Sequence, residues 1–174
     1  LTQILNRFKF PIVLKLPTGT RGMGTILCSN PKNAQEIINA FFLREETPIM
    51  IQEFLRNPIV KKQPVSTDIR VLIIGKTVYG AIQRNARLGE WRTNYALGAT
   101  CTPYQLSAED HELILKLISH LNLEVAGIDL FPTANGTYIL EINACPGWKA
   151  FSLAHPHLNV SNQIINYLLE KIRQ

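Results

Sequence analysis

The sequence has no cysteine pair at C-x-x-C spacing; Cys28, Cys101 and Cys145 are odd in number and far apart. That excludes a disulfide framework and a zinc ribbon, and it fits reduced thiols in a cytoplasmic protein. No apolar run is long enough to span a bilayer, and no charged-then-apolar signal segment opens the chain, so no membrane partner is expected. There is no internal repeat and no dense lysine–arginine tract. The net charge of +5 is spread along the chain, which disfavours nucleic acid and suits an anionic small molecule such as a nucleotide. What remains is 174 residues with 46 % hydrophobic content, enough for a real core. The first residue is Leu1 and the chain opens mid-pattern, so it reads as a piece of something longer.

Strands and helices alternate along it. Ile12 to Leu16 reads as a strand, with Thr25 to Cys28 as its hairpin partner. Asn30 caps a helix with Pro31 at its first position, and Ala34, Ile37, Ile38, Phe41 and Phe42 form its apolar stripe. Ile49 to Phe54 completes a β-β-α-β unit. The segment from Arg56 to Thr67 holds two prolines and Lys61-Lys62, an exposed connection. Ile69 to Ile74 and Thr77 to Arg84 are strands around a turn at Gly75-Lys76. A helix starts at Ser107, with Leu113, Ile114, Leu117, Ile118 and Leu121 as its buried face. A last helix, capped near Ser161, is expected to bury Ile164, Ile165, Leu168, Leu169 and Ile172. This is an α+β pattern, expected to form two lobes with a cleft between them.

Val125 to Phe131 and Thr137 to Asn143 are apolar runs joined by Pro132-Thr133-Ala134-Asn135-Gly136, a hairpin signal. If that five-residue loop sets Phe131 opposite Thr137, Asp129 opposes Ile139. Asp129, Ile139, Glu141 and Asn143 then share one face, and Ile128, Leu130, Leu140 and Ile142 share the other. In an isolated hairpin the simpler reading leaves both carboxylates in solvent. Gathered with an amide oxygen, they are also the hard oxygen set that suits Mg²⁺.

Thr18-Gly19-Thr20-Arg21-Gly22-Met23-Gly24 lies between the first two strands. It is not a Walker A loop, because a strand follows it and no Gly-Lys-Ser/Thr does. Alone it is a turn; with Lys15 just before it on an apolar strand, it becomes a candidate phosphate loop. His155-Pro156-His157 reads as a surface turn, Cys145 as a small packing residue, and Trp91 and Trp148 as core or cleft-wall residues.

Lys15, Gly19 to Gly24, Gln52-Glu53-Phe54-Leu55, Asp68-Ile69-Arg70, Arg92-Thr93-Asn94, Ala126 to Asp129 and Glu141 to Gly147 occur in order. That series resembles the ATP-grasp ligases, above all the RimK branch, which adds glutamate to ribosomal protein S6 or makes related peptide bonds. The resemblance runs from about Phe10 to the C-terminus. It implies a small lobe over residues 1–52, a large lobe over 53–174 and a nucleotide cleft between them. It further implies that Lys15 contacts phosphates beneath a lid holding Gly19, Gly22 and Gly24. Gln52, Glu53, Phe54 and Leu55 would meet the adenine, and Asp68 and Arg70 would line the nucleotide site. Thr93 would lie near the γ-phosphate, with Arg84, Arg92 and Asn94 as catalytic groups and Asp129, Glu141 and Asn143 as ligands of Mg²⁺ or Mn²⁺.

The expected reaction joins a small carboxylic or amino acid to an amine or peptide acceptor, with ATP and through an acylphosphate. The alternative is a regulatory module that binds ATP without catalysis. The resemblance also leads us to expect an absent N-terminal domain, so that this chain alone has impaired ligase activity, and it leaves a homo-oligomer of the full-length form open.

Overall fold

Apolar residues at alternate positions around Ile12 and Leu14 make β1 (Ile12–Lys15) the centre of a three-stranded antiparallel sheet in a computed structural model of the chain. Residues 1–17, 22–42, 48–55, 66–133 and 135–173 are described. β1 lies between β2 (Thr25–Cys28) and β3 (Met50–Glu53). Its Ile12 and Leu14 face pairs with Ile26, Cys28 and Ile51 and packs on Ala34 and Ile38 of α2 (Pro31–Phe42). Asn30 caps that helix as expected, its side chain accepting from the Asn33 N–H at 2.9 Å. A short α1 (Thr2–Leu5) adds Leu5 to the same core.

The chain divides into two compact units, Leu1–Arg56 and Asn57–Gln174, four residues later than the lobe boundary expected at 52/53. In the second unit β4 (Thr67–Ile74), β5 (Thr77–Asn85), β6 (Thr100–Tyr104), β7 (Val125–Thr133) and β8 (Gly136–Asn143) form one antiparallel sheet, in the order β6-β5-β4-β7-β8. The Gly75-Lys76 turn holds both residues at positive φ, 65° and 63°, as a two-residue type I′ hairpin requires.

The two faces of central β4 are buried differently. Ile69, Val71 and Ile73, with Ile128 and Leu130 of β7, pack on Ile114 and Ile118 of α3 (Ala108–Leu121). Leu72 and Ile74, with Ile82 of β5, pack on Phe151 of α4 (Lys149–Ala154) and Val160 of α5 (Val160–Ile172). Asp68 and Arg70 share that second face by strand alternation. One end of the face is therefore apolar and covered, while the other carries charge.

Several expectations change. β6 and α4 are absent from the sequence reading; Thr-Cys-Thr-Pro-Tyr is a short, mixed strand that holds its place by pairing with β5. The cap of α5 is Asn159, which accepts from the Asn162 N–H at 3.0 Å, not Ser161. α5 buries Val160 and half-buries Ile164 and Tyr167, whereas Ile165, Leu168, Leu169 and Ile172 are exposed. Both stripes are apolar, and the sheet accepts only one. Leu121 is exposed in the last turn of α3, and Cys145 is exposed instead of packed. The His155-Pro156-His157 turn is present, with His155 Nε2 2.9 Å from the Ala81 carbonyl oxygen. Phe42's side chain lies outside the described residues, as do Gly19 and most of the expected connection up to Thr67.

Candidate active site

The site face is built from strand pairing. Register sets Asp68 opposite Arg84, Arg70 opposite Asp129, and Asp129 opposite Glu141. Alternation then places Asn143 beside Glu141 on the same face. The hairpin reaches this pairing differently from the expected register. Thr133 pairs with Gly136 across a two-residue loop, so Phe131 opposes Tyr138 in place of Thr137. A register shift between Asp129 and Leu130 leaves Leu140 as the extra residue and moves Glu141 opposite Asp129. The two changes restore the parity of Asp129, Glu141 and Asn143. They also turn Ile139 to the side of Leu130, against expectation. Because β8 is the edge strand, Ile139 and Ile142 stay partly exposed and do not form core.

Asp68, Arg84 and Asp129 are 4 %, 6 % and 5 % exposed, so these charges must be paired to be tolerated. Arg84 Nε donates to Asp68 Oδ1 at 2.7 Å and Nη2 to Asp68 Oδ2 at 2.5 Å. The same Nη2 donates to Asp129 Oδ2 at 2.8 Å. Arg70 grips Asp129 from the other side through Nε to Oδ1, and through Nη2 to Oδ2 at 2.8 Å. Thr93 Oγ1 donates to Asp68 Oδ2 at 2.6 Å, tying the β5–β6 connection to the sheet. Burial raises the Asp68 carboxyl above the ordinary range, against the opposing charge of Arg84. Burial also pushes Asp129 upward, but the Arg70 hydrogen bonds and the Arg84 charge outweigh it and hold it low. Arg84 is desolvated as well, yet the two carboxylates keep its pKa above the usual arginine value.

Gly127 lets these parts meet. A Cβ there would lie 2.8 Å from Pro146 Cβ and 3.1 Å from Arg70 Nη1, so the Ala-Gly-Ile-Asp glycine is a close-approach position. Arg92 is held by Glu90, donating from Nε at 3.0 Å and from Nη2 at 2.7 Å, and its head group lies 5.9 Å from the Trp91 ring centroid. Glu90 also accepts the Trp91 and Arg92 backbone N–H groups. Its hydrogen bond from the Arg92 side chain, more than any other effect, lowers its pKa to about 2. The sequence reading missed Glu90, whose signal is a lone carboxylate two residues before an arginine. Asn94 is half-buried just before a short 3-10 turn at Tyr95–Leu97.

Glu141 is exposed and its side chain has no hydrogen-bond or ion-pair partner among the described residues. Asn143 Oδ1 accepts one bond, from the Cys145 N–H at 2.9 Å. Among the described residues no three His, Cys, Asp or Glu side chains converge, and here the third donor is an amide. Lone pairs remain on Asp129 Oδ1, Glu141 and Asn143 Oδ1, a hard-oxygen set that fits a small divalent cation.

The first unit carries its own predicted residues. Lys15 is half-buried on the sheet face shared with Val13 and Gln52, while Glu53 pairs with Ile12 and lies on the opposite, α2-side face. Phe54 donates its N–H to the Pro11 carbonyl at 3.3 Å, and Leu55 is half-buried. Gly22 and Gly24 take φ of 80° and 75°, closing the β1–β2 loop with the Leu16 N–H bonded to the Gly24 carbonyl at 2.9 Å.

Comparison with known proteins supplies relatives. The family described as RimK-like ATP-grasp domain matches residues 1–168. A probable alpha-L-glutamate ligase of Legionella pneumophila (strain Corby) is 34% identical over 163 residues, covering 94% of this chain and 51% of that protein. The chain thus spans about half the length of the curated relatives it matches. The ATP-grasp ligase PsnB, solved with a phosphomimetic variant of minimal precursor, Mg and ADP, aligns with a TM-score of 0.71 at 17% identity, over 98% of this chain and 50% of its own. The D-alanine–D-alanine ligase of Bacillus anthracis aligns with a TM-score of 0.70 at 15% identity, over 98% and 57%. Both likenesses show the ATP-grasp fold.

Proposed function

This chain belongs to the RimK-like ATP-grasp family, and from that premise we propose that it serves an ATP-dependent carboxylate–amine ligase using Mg²⁺ or Mn²⁺. The observation that carries the reading is the cross-strand pair of Asp129 and Glu141, with Asn143 beside them and Arg70 and Arg84 on the same face.

A carboxylate resists attack by an amine. Transfer of the ATP γ-phosphoryl group to its oxygen gives an acylphosphate and ADP; the amine nitrogen then bonds the carbonyl carbon, the C–O bond to phosphate breaks, and the nitrogen loses a proton. Negative charge collects on phosphoryl and carbonyl oxygens, where fixed cations act most strongly. Arg84, locked in place, is suited to that role. Arg92, Thr93 and Asn94 lie on the segment that Thr93 pins to Asp68. Lys15 would contact phosphates, and Gln52 with the Glu53–Leu55 backbone the adenine. Asp129, Glu141 and Asn143 would hold the metal, which when bound neutralises phosphate charge. The relatives' name supports glutamate as one substrate, and PsnB's precursor complex supports a peptide as the other.

Calorimetry with a non-hydrolysable ATP analogue tests this on the chain and on Glu141→Ala, with and without Mg²⁺. Binding is expected to need Mg²⁺ and to weaken in the variant at least as much as loss of an outer-shell partner costs a metal site, roughly 10–100-fold. Equal binding by both proteins, or binding indifferent to Mg²⁺, would refute the metal assignment.

A further inference from the structure

Arg70 and Arg84 both hold Asp129, but they are not equivalent. Among the described residues Arg70 has only Asp129 as a side-chain partner. Arg84 makes one bond to Asp129 and two to Asp68. Asp68 in turn is 4 % exposed, with its oxygens occupied by Arg84 and the Thr93 hydroxyl.

We propose that Asp68 is a positioning residue: it keeps the Arg84 guanidinium in place when a divalent cation takes the Asp129 carboxylate, while Arg70 is released. The proposal rests on the metal assignment above. A cation on Asp129 competes with both guanidinium groups for the same lone pairs and repels their charge. Arg84 loses one bond of three, and its bidentate partner stays. Arg70 loses both of its bonds, and a guanidinium stripped of its carboxylate must find water or a substrate oxyanion. Its stem lies against Gly127, which has no side chain of its own to crowd it. The site thus holds one fixed cation and one that metal binding sets free.

The test uses the ¹⁵N-labelled chain and the arginine Nε–H signals in NMR, titrated with Mg²⁺ alone and assigned with Arg70→Lys and Arg84→Lys. In the native protein the Arg70 signal is expected to shift and lose protection from solvent exchange, and the Arg84 signal to keep both. In Asp68→Asn, Mg²⁺ should release Arg84 as well. Should that variant fail to fold, Thr93→Val removes one bond from Asp68 and should lower Arg84 protection only when Mg²⁺ is present. Mg²⁺ bound with both arginines responding alike, or with neither responding, overturns the positioning role and leaves the metal assignment standing. No Mg²⁺ binding by calorimetry, with the ATP analogue absent or present, overturns both.

Discussion

Asp129 and Glu141 face each other across one strand pair, yet one lies under two guanidinium groups and the other in water. Their substitutions should therefore part company. Asp129→Ala strands the charges of Arg70 and Arg84 and is expected to cost about 3–5 kcal/mol of stability. Glu141→Ala removes an exposed side chain without a partner among the described residues and should stay within about 0.5 kcal/mol. Urea unfolding of the two variants measures the difference, and a large loss in Glu141→Ala would overturn this contrast. Glu90 makes a pH prediction. Its pKa falls from 4.5 to about 2 in the folded chain, so its bond to Arg92 contributes stability fully above about pH 4.5 and loses it as pH falls toward 2. The stability gap between the native chain and Glu90→Gln should be flat above pH 5 and close in that window.

At the scale of elements, the sheet's site face changes character along its length. α4 and α5 cover Leu72, Ile74 and Ile82, while Asp68, Arg70 and Arg84 lie beyond that cover. Gly127 is the close-approach point of this face. Gly127→Ala would set a Cβ 2.8 Å from Pro146 and against Arg70, an overpacking cost of about 1–3 kcal/mol that thermal melts should register. α5 offers a contrast. Ile172→Ser on its exposed stripe should cost less than about 0.5 kcal/mol, whereas Phe151→Ala under the sheet should cost about 3–5 kcal/mol. The repeat of apolar residues announces the helix, but with Val160, Ile164 and Tyr167 on one side and Ile165, Leu169 and Ile172 on another it does not choose a face. Burial against β4 chooses. The β7–β8 hairpin was legible in the same limited way: parity of the three oxygen-bearing residues could be read, while the tight loop and the shift beside Leu130 could not.

At the scale of the molecule, each of the two units has a core of its own. The second packs its sheet on both faces, against α3 on one and α4 with α5 on the other. Residues 57–174 expressed alone should therefore unfold cooperatively, whereas residues 1–56, a short sheet with one long helix, fall in the size range where stability is marginal. Circular dichroism melts of the two pieces decide this; a molten 57–174 piece would show that its core needs residues 1–56.

The strands and helices other than α1, β6 and α4, the caps at Asn30 and Ser107, the turn at Gly75-Lys76 and the ordered family motifs were determined by the sequence itself, because each depends on neighbours a few residues away. Tertiary structure decided what depends on partners far along the chain. It enclosed Asp68 beneath Arg84 and Thr93, gave Asp129 two guanidinium partners and left Glu141 outside at a sheet edge. Composition cannot rank those carboxylates, since their difference is one of burial and pairing, and for the two aspartates the partners lie 16 to 59 residues away along the chain.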